Sequence, residues 1–173
     1  MNVYAYCAAS MRGSVVASTG VEPDTCPSPD DRPFNPARLV GHDVVVLKLH
    51  ATTPGDNIWL GDEGTPALAA AHFSNLRLAG ALIIAQTCYM PASPLLAAML
   101  ATGAGVVGGR GENQGGYSQM VGSDWLVHYL IGGLDMGLAR RWALRYAKLR
   151  MVARGPTGPN QDAMGFELYG GER

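Results

Sequence analysis

Apolar residues along this chain fall in short, near-continuous runs separated by stretches rich in Gly, Pro and Asp, and two of the runs stop at reactive side chains. Val44-Val45-Val46-Leu47-Lys48-Leu49 stops at His50, and Ala81-Leu82-Ile83-Ile84-Ala85-Gln86-Thr87 stops at Cys88. Runs of Val, Ile and Leu without polar alternation belong to parallel strands buried on both faces, so the two are predicted as neighbouring strands. Residues 2–7 predict a first strand, 14–17 a second strand or its continuation, 58–60 and 106–107 two short strands, and 166–169 an edge strand. Thr65 before Pro66 reads as a cap followed by a first-position proline and predicts a helix to about Leu76. Ser93 before Pro94 does the same for a helix to Ala101. Two further helices are predicted near 120–130 and 135–154. Strands alternating with helices at this spacing imply βαβ units, hence an α/β fold with a mainly parallel central sheet and helices on both faces.

Length and composition add limits. A chain of 173 residues with 47% hydrophobic content can build one domain over 1–173. A proline-rich loop is expected at about 22–37, where Pro23, Pro27, Pro29, Pro33 and Pro36 oppose helix and central strand alike. A net charge of −1 with 16% charged residues leaves no basic stripe for nucleic acid. Arg140, Arg141, Arg145, Lys148, Arg150 and Arg154 gather in the last helical stretch and read as its solvated face. No run approaches the ~20 apolar residues of a membrane span, and the N-terminus lacks a secretory pattern, so the expectation is a cytoplasmic protein without membrane attachment.

The three cysteines, Cys7, Cys26 and Cys88, follow no metal-ligand or disulfide spacing, and neither metal nor cofactor is expected. Cys7 reads as core and Cys26 as a loop thiol, with a bridge between them left open. The glycine-rich stretch 108–116 lacks the Lys-Ser/Thr ending of a phosphate loop and a GxGxxG that opens a helix. His42, His72 and His128 read as structural, and Trp59, Trp125 and Trp142 as core aromatics.

What remains is the pair at the strand ends. Open α/β sheets bind ligands beyond the carboxyl ends of their strands, so His50 and Cys88 share one predicted crevice. A cysteine beside a proton acceptor is an activated nucleophile, which points to a cysteine hydrolase.

The order of features adds a resemblance. A strand ending in His50 precedes a strand ending in Cys88, 38 residues on; then come Leu96-Ala97-Ala98-Met99-Leu100-Ala101-Thr102-Gly103-Ala104-Gly105-Val106-Val107-Gly108 and the ending Gly165-Phe166-Glu167-Leu168-Tyr169-Gly170. Over about 42–171 this resembles the caspase-like (clan CD) cysteine peptidases, and within them the bacterial CHAT-type peptidase domains. The resemblance implies a caspase-like three-layer sandwich. It also implies Cys88 as nucleophile and His50 as general base and acid, hydrolysing peptide bonds through a thioester acyl-enzyme. The backbone amides of Ala51 and Cys88 would form the oxyanion site. Gln86, in Gln86-Thr87-Cys88, would line the substrate pocket, and Arg110 would favour an acidic side chain there. Asp56, Asp62, Glu63 and Glu112 are the opposing candidates for a basic one. The implied partners are a protein or peptide substrate, a separate regulatory protein, and a second copy through edge-to-edge sheet pairing. Two departures stand out: Ala51 occupies the place of the family's usual glycine, and the bulky Tyr89-Met90-Pro91 follows Cys88. They keep in view a catalytically inactive regulatory or assembly module of the same fold. A flavodoxin-like phosphate- or nucleotide-binding domain using the 108–116 loop is the third reading.

Overall fold

The computed structural model describes residues 1–30, 32–155 and 158–171, so Asp31 of the proline-rich segment lies outside the described residues. Six strands form one sheet: β1 (Val3–Ala8), β2 (Asp24–Cys26), β3 (Val44–Lys48), β6 (Leu82–Ala85), β7 (Gly105–Gly109) and β8 (Phe166–Tyr169). Their order is β2-β1-β3-β6-β7-β8, all parallel except β8, which runs antiparallel to β7. The expected α/β architecture with a mostly parallel sheet is therefore present. A separate hairpin joins β4 (Ile58–Leu60) to β5 (Pro66–Ala69).

The unbroken apolar runs follow from burial on both sides. Val45, Leu47, Ile83, Ala85 and Val106 face a core completed by Trp59 and Leu68 of the hairpin and by Leu95 and Met99 of α2 (Pro94–Ala101). Val44, Val46, Leu82, Ile84 and Val107 face the opposite core. That core is completed by Val15 of α1 (Arg12–Thr19), Leu126 and Leu130 of α3 (Ser123–Asp135), and Ala143 and Ala147 of α4 (Arg140–Ala153). Each large aliphatic side chain removed from water contributes about 1.5–3 kcal/mol, so a register slip that exchanged the faces would forfeit both cores. A last helix, α5 (Gly158–Met164), leads into β8.

α2 begins as the sequence implies: Ser93 Oγ accepts from the Leu95 N–H at 3.3 Å, with Pro94 at the first position. Elsewhere packing overrides local signals. Residues 14–17 are part of α1, not a strand. Ser14, Val15 and Ser18 fall on one buried helical face, and Gly20 in the left-handed conformation (φ 75°) closes the helix. Residues 66–69 form β5 and 70–73 a 3-10 turn in place of the expected helix, because Leu68 pairs with Trp59 and both become fully buried. Cys26 is a buried residue of β2, not a loop thiol, and packs on the face opposite Cys7. All three cysteines are free thiols. Trp142 is exposed, under the Arg145 guanidinium 5.5 Å from its ring, whereas Trp59 is core as expected. Among the described residues no helix is long and apolar enough to cross a membrane.

Candidate active site

β3 and β6 are neighbours in register, Leu47 opposite Ala85, so the chain leaves both strands at the same border of the sheet. His50 follows β3 and is fastened to the hairpin by a reciprocal backbone pair with Leu60, both bonds 2.9 Å. Cys88 follows β6 in a sharp turn. The next residue, Tyr89, has φ 56°, a left-handed conformation that costs a bulky residue of order 1–3 kcal/mol and persists where the surroundings enforce it. Here the segment after β7 enforces it: the Tyr89 N–H donates to Gly111 O at 3.0 Å, Tyr89 Oη donates to Glu112 at 2.7 Å, and Asn113 Nδ2 donates to Thr87 O at 2.7 Å.

His50 and Cys88 line one cleft of about 70 Å³, together with Ala51, Gln86, Thr87 and Lys48. The Cys88 sulfur lies 3.8 Å from Asn113 O, and His50 Nε2 lies 3.9 Å from Asp62 Oδ1. The Asp62 carboxylate is itself anchored by the N–H and hydroxyl of Ser10, both at 2.6 Å. Among the described residues the amides of Ala51 and Cys88 donate to no protein acceptor.

Beneath the cleft lies a buried ion pair that the sequence reading missed. Lys48 Nζ donates to Asp124 Oδ1 at 2.5 Å, Ser14 Oγ at 2.6 Å and Gly116 O at 2.7 Å, which uses all three of its protons. Asp124 also accepts from the Gly116 N–H (2.5 Å), the Val121 N–H (3.1 Å) and Gln86 Nε2 (3.0 Å). Burial pushes the Lys48 ammonium below its ordinary range, against the opposing pull of Asp124. The pair ties β3, α1, α3 and the 110–116 segment into one support for the cleft. Gly116 admits no side chain there, since a Cβ would stand 1.6 Å from Gln119 O. A lysine inside an otherwise apolar buried strand was the signal available in the sequence.

Of the residues singled out from the sequence, the fold gathers His50, Cys88, Ala51 and Gln86 around one cleft. It does not bring Arg110 there: that guanidinium is exposed and paired with Glu167 at 2.7 Å. Asp56 closes a turn with Thr52 and Thr53. Hydrogen bonds from the Thr53 hydroxyl and N–H, then from Thr52, hold its carboxyl down to about 2. Glu112 is taken by Tyr89, and neither it nor Asp56 nor Glu63 lines the cleft. In the glycine-rich segment the Gly116 amide is already committed to Asp124. No protein-family model matches this sequence, and a search of curated proteins returns no significant match.

Proposed function

We propose that the protein is a cysteine peptidase of caspase-like architecture, with Cys88 as nucleophile and His50 as general base and acid. The observation that carries the reading is the placement of both side chains on one cleft at the ends of adjacent parallel strands, where the amides of Ala51 and Cys88 have no protein acceptor among the described residues. In the first half-reaction the Cys88 proton passes to the His50 imidazole and the sulfur adds to the scissile carbonyl. The oxyanion is met by the Ala51 and Cys88 N–H groups. Collapse breaks the C–N bond, the leaving amine takes the proton from His50, and a thioester remains. Water then attacks the thioester as His50 takes its proton, and the Cys88 thiol leaves, reprotonated by His50. Asp62, at 3.9 Å from Nε2, stands where it supports the imidazolium formed in each half-reaction.

The test is alkylation by iodoacetamide at neutral pH, with the modified cysteine mapped by mass spectrometry. Cys88 is expected to label much faster than Cys26, and His50→Ala to slow it by about a hundredfold. Labelling of Cys88 that ignores His50 refutes the dyad and supports a regulatory module of the same fold. The observation on that side is that the polar neighbour of the sulfur is Asn113 O.

A further inference from the structure

The side of α4 turned away from the sheet is more than a solvated face. Ala143, Leu144, Ala147 and Met151 hold the inward side of the helix in the core. Trp142, Leu149 and Val152 recur at helical spacing on the opposite side, where they are 55%, 63% and 63% exposed. Met136 and Leu138, in the turn that leads into α4, are exposed as well. Single exposed hydrophobic residues are ordinary on a protein surface, whereas a stripe of them marks a contact. The charge beside this stripe is of one sign. From Met136 to Gln161 there is no Asp or Glu, while Arg140, Arg141, Arg145, Lys148, Arg150 and Arg154 belong to this stretch, in a chain of net charge −1. Among the described residues none of Arg141, Arg145, Lys148, Arg150 and Arg154 forms an ion pair with a carboxylate. By helical spacing Arg141 and Lys148 lie along one flank of the stripe and Arg150 along the other. Aromatic rings hold three of the guanidiniums in place without neutralising them: Arg145 lies 5.5 Å from the Trp142 ring, Arg150 4.9 Å from Tyr129 and Arg154 3.5 Å from Trp125.

We propose that this face of α4 docks on the surface of a bilayer that contains anionic lipids. Trp142, Leu149 and Val152 enter the boundary between headgroups and acyl chains, and Arg141, Arg145, Lys148 and Arg150 meet the lipid phosphates. Lying on a bilayer takes one apolar stripe with cations beside it, not the long apolar run of a crossing helix. The expectation of a protein without membrane attachment thus gives way to attachment without crossing, independently of the reading of Cys88 and His50. Two other anionic partners match the face less well. A nucleic acid would engage the cations but gain nothing from Leu149 and Val152. An acidic protein helix would strip water from Arg145 in the midst of the stripe and so must set a carboxylate opposite it, whereas at a lipid surface the long stem lets that guanidinium reach the phosphates.

The experiment is co-sedimentation of the full chain with vesicles of phosphatidylcholine alone and of equal parts phosphatidylcholine and phosphatidylglycerol. Binding is expected to the anionic vesicles only, and it should fall steeply between about 50 and about 500 mM salt as the cations are screened. Tryptophan emission should shift to the blue on binding, and Trp142→Phe should abolish the shift, since Trp59 is buried in the core. At about 1 kcal/mol for each cation at the surface, Arg141→Gln/Arg145→Gln is expected to weaken binding about 30-fold. Leu149→Gln/Val152→Gln is expected to weaken it at least about tenfold. All four side chains are exposed, and circular dichroism checks that both variants keep the fold. No binding to anionic vesicles at the lower salt, equal binding to neutral ones, or binding indifferent to Leu149→Gln/Val152→Gln overturns the proposal. So does release of the protein from the vesicles by a charge-equivalent amount of oligothymidylate or of poly-glutamate, which assigns the face to a nucleic acid or to an acidic protein.

Discussion

Lys48→Met would expose how much of the molecule hangs on the buried pair under the cleft. In the wild type the Lys48 ammonium and the Asp124 carboxylate are almost wholly shielded from water and bonded to each other. Removing the cation leaves Asp124 with the N–H groups of Gly116 and Val121 and the Gln86 amide, but with no counter-charge. Breaking a buried pair from one side costs about 3–5 kcal/mol, because an uncompensated charge stays in the interior. In a domain of this size each kcal/mol moves the melting midpoint by about 2–4 °C, so a fall of about 6–20 °C is expected. Asp124→Asn alone strands the ammonium and is expected to cost a comparable amount. The double variant Lys48→Met/Asp124→Asn carries no buried charge, yet keeps a carbonyl oxygen for the neighbouring amides. Its loss is expected to fall short of the sum of the two single losses by about 2 kcal/mol. Urea unfolding followed by circular dichroism measures all four corners of this cycle, with the slope of the transition checking that the unfolded states are comparable. A Lys48→Met loss below about 1 kcal/mol, or strict additivity, would refute the assignment of this pair as the support of the cleft.

Two further outcomes follow from single side chains. Burial pushes the Cys7 thiol from its ordinary value of 9.0 up to about 12. The unfolded chain therefore releases this proton first, and the contribution of Cys7 is intact below about pH 9 and lost between about pH 9 and 12. The loss reaches about 4 kcal/mol at about 1.4 kcal/mol per pH unit, and unfolding free energies across that range should fall less steeply in Cys7→Val than in the wild type. At the turn after Cys88, Tyr89→Gly relieves the left-handed backbone and is expected to hold or raise the melting midpoint, whereas Tyr89→Ile lowers stability by about 1–2 kcal/mol. The opposite order in a thermal melt would show that the turn is not under backbone strain.

Elements whose local signals agree with their packing were legible in the sequence, and those whose signals conflict were not. β6 is an unbroken apolar run and β3 is apolar up to its last residue, Lys48, both packed on their two faces, and α2 has its cap, its proline and its apolar content in agreement. At 65–69 the Thr-Pro cap signal pointed to a helix, but Leu68 pairs with Trp59 across the β4–β5 hairpin, a contact that the cap signal does not carry. At 14–17 two adjacent valines suggested a strand, while the choice fell to the helical face that α1 presents to α3 and the sheet. The cleft divides in the same way. His50 and Cys88 were legible because strand ends concentrate at one border of a parallel sheet, whereas Gln86 entered only through the resemblance. Asp62 and Asp124 stand behind the cleft, beside His50 and Lys48, on a turn and a helix start, and their bonds to Ser10 and Lys48 span 52 and 76 residues.

The borders of the sheet carry a consequence for how this protein meets copies of itself. β2 is three residues long and is followed by Pro27, which has no N–H to give, and β8 is four residues long with Glu167 held across to Arg110. A strand arriving from another chain finds only a few free backbone positions at either side, too few to build a ladder that holds by itself. The long apolar runs of β3 and β6, the segments best suited to cross-β stacking, are enclosed by strands on both sides. The strand order thus places the sequences most suited to stacking where, in the folded state, they are already paired.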